Sequence, residues 1–235
     1  MPELAFSSGF PSEPGVTGMQ IGLIGAGQVA RAFARKAIAA GHTVVFSDSR
    51  GGEGLATTAA AFGPSAAAGT AAEAAACEIA LLATPWLKVE QVLRTLPPWR
   101  GRILIDPTNA FSGDTPGQGV VRFETGSSSE TVQSLAPEAL VIKAMNTLFM
   151  SNFEQEPVAG SMRRALFLSG DDIPARNRVA DLFESFGFAP VILGSLAHGG
   201  RIQALAGPIA GHDFFLPWPA KRFFPLFSGI SDEER

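Results

Sequence analysis

Gly25-Ala26-Gly27-Gln28-Val29-Ala30 has the G-x-G-x-x-A spacing of a turn that cradles a diphosphate. In such a turn Gly25 permits the reversal, Gly27 lets a pyrophosphate approach the backbone, and small Ala30 lets the following helix lie close to a sheet. Asp48 stands about 20 residues on, where an acid accepts from an adenosine 2′-hydroxyl. Directly behind it, Ser49 and Arg50 offer a hydroxyl and a guanidinium suited to a 2′-phosphate. The two signals oppose each other. Ser49-Arg50 favours NADP, and Asp48 keeps NAD open.

Lys143 ends the apolar run Leu140-Val141-Ile142 and is the candidate catalytic proton donor; pairing with a nearby acid is the alternative. Asn146 and Thr147 follow as amide and hydroxyl contacts for a substrate, and Asn109 can serve a ligand or a turn. Trp86 can flank a planar ring or cover the core. There is no tyrosine, so a phenol proton donor is excluded. Three histidines (His42, His198 and His212) lack metal-ligand spacing, and the lone Cys77 can form neither an internal disulfide nor a multi-thiolate zinc site. No metal is expected.

The elements that must position these residues alternate along the chain. Gln20–Ile24 reads as a buried strand, 28–40 as a helix closed by Gly41, and Thr43–Phe46 as a second strand. The alanine-rich stretch 54–76 reads as helix broken by Gly63-Pro64 and Gly69. Further strands are expected at 78–83, 102–106, 140–143, 164–169 and 190–193, with helices near 89–96, from 127 to before Pro137, and over 174–186. This is an α/β chain with a doubly wound, mostly parallel sheet of Rossmann type and a small C-terminal α/β extension. Its expected organisation is a leader over 1–18, a dinucleotide-binding domain over 19–150, and the extension over 151–235 with a Phe/Pro-rich tail. That tail either caps the core or lines a site.

Composition narrows the partners. Of 235 residues, 46% are hydrophobic and 17% charged, enough for a core buried in water. A net charge of −4 without a basic block argues against nucleic acid. No window reaches the ~18 uninterrupted apolar residues of a membrane helix, and residues 1–18 carry Glu3 and Glu13 rather than a positive start. A cytoplasmic protein acting on a small-molecule redox acceptor is expected. The apolar tail leaves a homodimer open.

Gly25–Ala30, Ser49-Arg50, Leu82-Ala83-Thr84-Pro85-Trp86, Asp106-Pro107-Thr108-Asn109 and Lys143-Ala144-Met145-Asn146-Thr147 occur in an order that resembles the NADP oxidoreductases dependent on coenzyme F-420, a deazaflavin. The same domain occurs in six-transmembrane metalloreductases. The likeness covers roughly residues 19–212. It implies Ala26, Gln28 and Val29 at the pyrophosphate and Ser49 and Arg50 at the 2′-phosphate. Thr84, Pro85, Trp86 and Ala144 fall on the nicotinamide side, with deazaflavin or flavin as co-substrate. Asp48 departs from the family pattern. Competing readings are a reductase of small carbonyl or imine compounds, which would require a larger helical domain, and a non-catalytic dinucleotide sensor.

Overall fold

The computed structural model describes residues 18–49, 52–113, 118–123 and 126–219. Among them ten strands form one sheet, whose main path runs β10-β8-β6-β5-β4-β1-β2-β3. The inner strands are β1 (Gln20–Ile24), β2 (Thr43–Ser47), β4 (Ile79–Leu81), β5 (Ile103–Asp106) and β6 (Leu140–Ala144); with β3 (Ala66–Ala68) they are all parallel. The order 3-2-1-4-5-6 is that of a dinucleotide-binding sheet. The long β8 (Met162–Gly170) then joins β6 antiparallel and carries β9 (Ala189–Ile192) parallel to itself. Its start is flanked by the short β7 (Val158–Ala159) and by β10 (Phe215–Pro217). The described end of the Phe/Pro-rich tail therefore extends the sheet; residues 220–227 lie outside the described residues.

Alternation along the strands makes two cores. On one face Ile21, Leu23, Ile79, Leu81, Ile105 and Ile142 pack with Phe33 of α1 (Gln28–Ala39) and Phe183 of α7 (Ile173–Ser185). On the other, Ala80, Leu82, Leu104 and Val141 meet α3 (Ala71–Ala75), α4 (Val89–Thr95) and α5 (Ser128–Leu135). Gly22 has no side chain because α3 leaves no room: a Cβ there would lie 1.8 Å from the Ala74 carbonyl oxygen. The remaining helices are α2 (Gly52–Ala60), α6 (Met150–Phe153) and α8 (Gly199–Ile202).

Three strands were not expected: the short β3, β7 and β10. The Ala66–Ala68 run favours helix by propensity. Yet Pro64, in the 3₁₀ turn Gly63–Ser65, stops α2 from continuing, and the edge of β2 supplies parallel hydrogen bonds instead. Cys77 is buried, as a small hydrophobe would be, and burial pushes its thiol pKa up.

The end of α1 follows from Gly41, whose φ of 88° lets its N–H reach the Ile38 carbonyl while the His42 N–H reaches that of Ala37. This places the His42 ring in the interior at 1% exposure, where Nδ1 accepts from the Met19 N–H at 3.3 Å. Burial, and then the charge of Arg178, hold the ring's pKa below its ordinary 6.5. The unfolded chain therefore takes up a proton that the folded chain resists, and stability present above about pH 6.5 is lost as the pH falls below it. Urea unfolding at pH 7.5 and pH 5.5 should show this loss. His42→Leu should flatten the dependence, and an unchanged slope in that variant would refute the assignment.

Candidate functional site

At the end of β1 the chain turns through Gly25 and Ala26 into α1. Gly25 has φ 127°, and a Cβ on it would stand 2.0 Å from the Ala83 carbonyl oxygen at the end of β4. Its N–H is tied to the Ser47 carbonyl at 2.8 Å. Gly27 is the opposite case, with ordinary backbone angles and nothing within 4 Å of a Cβ built on it. The first glycine answers to the protein; the second opens onto empty space.

That space is a cleft of about 450 Å³, with Ala26, Gly27 and Gln28 at its base and Asp48 at the end of β2. Gly27 is the N-cap of α1 without any side-chain cap, and the first helical hydrogen bond is Arg31 N–H to the Gly27 carbonyl at 3.0 Å. The N–H groups of Gln28, Val29 and Ala30 precede that bond and point out of the helix end, where its dipole favours an anion. No acid occupies the first turn. An open cradle of amides beneath a position that tolerates no side chain when filled is the geometry a dinucleotide diphosphate fits.

The structure brings Ala26, Gly27, Gln28 and Asp48 together, with Gly25 behind them. Val29 contributes its amide while its side chain packs on the core. Ser49 is exposed beside half-buried Asp48; Arg50 lies outside the described residues. Three cleft residues went unrecognised in the sequence: Arg31, Arg35 and Glu154. Arg31 and Arg35 recur at a helical interval directly behind the motif, a signal that was present. Glu154, which follows α6 and pairs with Arg35 across 119 positions, had none.

At the end of β4, Thr84 is half-buried and Pro85 exposed, and Trp86 opens a 3₁₀ turn. The Trp86 ring meets Phe123 edge to face at 5.8 Å.

Four other expectations are corrected. Lys143 was the candidate proton donor, yet it has no exposed surface, because β5 and β6 set it opposite Asp106. Its ammonium donates to Asp106 Oδ2 at 3.1 Å and to the Thr108 carbonyl. Asp106 Oδ2 also accepts from Ser129 at 3.0 Å, and Oδ1 accepts from the Thr108 N–H and hydroxyl at 2.9 and 2.6 Å. Burial holds the lysine pKa below its ordinary value, and the charge and hydrogen bond of Asp106 offset only part of that lowering. Lys143 is thus a bracing ion pair without access to a ligand.

Ala144, assigned to the nicotinamide side, is buried in the core instead. Asn146 and Thr147, assigned to substrate, are also buried. Met145 between them takes a left-handed φ of 66°, which turns Asn146 into an amide network. Its Nδ2 donates to the Gln203 carbonyl and to Asn109 Oδ1, while Gln203 Nε2 donates to Asn146 Oδ1 at 3.0 Å and to the Lys143 carbonyl at 3.2 Å. Gln203, fully buried and also accepting from Ser169 at 2.7 Å, completes it. A lone glutamine in a glycine-rich stretch offered no sequence signal for this.

The histidines at 198 and 212 are exposed. Among the described residues no group of three His, Cys, Asp or Glu side chains can hold a metal, and no helix is long and apolar enough to cross a membrane.

Sheet order and glycine cleft together define a dinucleotide-binding fold of Rossmann type. Residues 20–110 match the family described as NADP oxidoreductase, coenzyme F420-dependent. A hypothetical protein from Sinorhizobium meliloti has a similar structure, with 34% identity, a TM-score of 0.76 and coverage of 85% of this chain and 95% of that one. A protein from Arthrobacter sp. FB24, provisionally designated an F420-dependent NADP reductase, matches at 28% identity and a TM-score of 0.60, covering 76% of this chain and 86% of that one. The rat metalloreductase STEAP3 is 27% identical over 188 residues, which are 79% of this chain. The chain spans only 36% of that relative's length.

Proposed function

We propose that this chain binds NADPH in the α1 cleft and delivers its hydride to a deazaflavin or flavin-type acceptor taken from solution. The observation that carries the reading is the contrast between the two glycines: Gly25 jammed against Ala83, Gly27 facing an open cleft at an uncapped helix end. When bound, NADPH supplies the hydride. The amides of Gln28, Val29 and Ala30 hold its diphosphate, and Asp48 and Ser49 meet the adenosine ribose at the end of β2. Thr84, Pro85 and Trp86 line the nicotinamide side, where the end of β4 opens onto the same crevice.

The proton inventory supports such an acceptor. The chain has no tyrosine, and its one candidate lysine is sealed from solvent. Reducing a ketone calls for a positioned acid. A fused-ring acceptor that spreads the electron pair and takes its proton from water depends on alignment instead. The Asp106–Lys143 pair and the Asn146–Gln203 network hold the loops beyond β5 and β6 so that this alignment is kept.

The test mixes purified protein with NADPH and, separately, coenzyme F420, FMN, FAD or a small ketone, and follows NADPH absorbance. Oxidation with the deazaflavin or a flavin is the expected result. Turnover with the ketone alone would favour a carbonyl reductase. Tight NADPH binding with no turnover on any acceptor would favour a dinucleotide sensor.

A further inference from the structure

The cleft contains a cation that is already held in place. Arg31 lies one turn into α1, exposed, and its Nε donates to the Ala26 carbonyl at 2.9 Å. Its Nη2 donates to Thr58 Oγ1 of α2 at 3.1 Å, and that hydroxyl in turn donates to the Gly54 carbonyl at 3.0 Å. The guanidinium is therefore fastened at one end to the glycine turn and at the other to α2. It spans the adenosine end of the cleft, whose wall includes Asp48. Both of its partners are neutral. Arg35, one turn further along the same helix, is different, because its charge is paired with Glu154.

Charge at this place bears on the choice of coenzyme. An acid at the end of β2 accepts well from an unphosphorylated ribose and repels a 2′-phosphate. A cleft that admits NADP past Asp48 needs a cation close by to offset that repulsion. A guanidinium suits the task because its flat fork offers several donors to phosphate oxygens. Fastening it beforehand lowers the entropy lost when the ligand arrives.

We propose that Arg31, held by the Ala26 carbonyl and Thr58, contacts the 2′-phosphate of NADP and sets the preference for NADPH over NADH. This rests on the reading that the cleft binds a nicotinamide dinucleotide. It adds a specificity residue on α1 to the Ser49-Arg50 pair that follows β2.

The experiment measures Kd for NADPH and for NADH by fluorescence titration, on the wild type and on the Arg31→Ala and Thr58→Val variants. Arg31 is exposed and Thr58 half-buried, so both variants should fold, with the thermal midpoint as a check. Arg31→Ala is expected to raise the NADPH Kd roughly tenfold or more while moving the NADH Kd less than about threefold. Thr58→Val keeps the charge but frees the side chain, and should raise the NADPH Kd a few-fold in the same selective way. Equal losses for both coenzymes in Arg31→Ala would mean that the guanidinium serves the shared adenine or diphosphate, and would overturn the proposal. Unchanged NADPH affinity in both variants would overturn it too. These failures leave the cofactor reading standing, whereas a wild type that binds neither coenzyme removes both.

Discussion

Gly27→Val should abolish NADPH binding while leaving the fold intact. A valine Cβ at this position meets no atom within 4 Å, and the backbone there (φ −78°, ψ −167°) is open to any residue. Gly27 makes no side-chain cap, so valine forfeits no hydrogen bond. The folding cost should stay within about 1 kcal/mol, a midpoint shift of about 2–4 °C for a chain of this size. The isopropyl group would nevertheless stand where the diphosphate must approach the amides of Gln28, Val29 and Ala30. A rise in Kd of at least ~100-fold is expected, equivalent to about 2.7 kcal/mol. Gly25→Ala makes the complementary control. Its methyl would collide with the Ala83 carbonyl and its φ is left-handed, so it should lower stability with or without ligand. Thermal melts and fluorescence titration on the two variants check the pair. An unaltered NADPH affinity in Gly27→Val would remove the site from α1.

The second large effect concerns Lys143. Lys143→Met should destabilise the protein by about 3–5 kcal/mol, because Asp106 would keep a buried charge without its countercharge. Ser129 and Thr108 still donate to that carboxylate, but no cation would remain beside it. A midpoint drop on the order of 10 °C follows. Adding Asp106→Asn to Lys143→Met removes the stranded charge and should recover part of the loss, since the two sites are in contact and their effects are coupled. Thermal and urea unfolding measure both. A Lys143→Met protein of wild-type stability that has lost all turnover would restore the proton-donor role that its burial argues against.

Lys143 also shows how a site reading can go astray. A lysine at the end of an apolar strand lies where an α/β sheet opens its ligand crevice, so its sequence position suggested chemistry. Whether its ammonium faces that crevice or a neighbouring strand depends on what stands at the same register on β5. There it is Asp106. Asn146 and Thr147 were drawn inward by the left-handed turn at Met145 and by Gln203, which lies 57 positions from Asn146.

Local sequence determined the longer elements and the glycine turn, because both depend on short-range physics, whereas the short β3, β7 and β10 form only by pairing with β2 and β8. Apolar periodicity sets strand and helix faces, Gly41 ends α1, and Gly25 and Gly27 shape the turn within a few bonds. It also pointed to nicotinamide-dinucleotide chemistry without a tyrosine acid, with NADP and NAD both left open. Tertiary structure alone decided which side chains share a space. Glu154 reaches Arg35, Thr58 fastens Arg31, and Asp106 takes Lys143 out of reach of a ligand, all through contacts between residues far apart in the chain. Such contacts arise from strand order and helix packing, which no short stretch of residues encodes by itself.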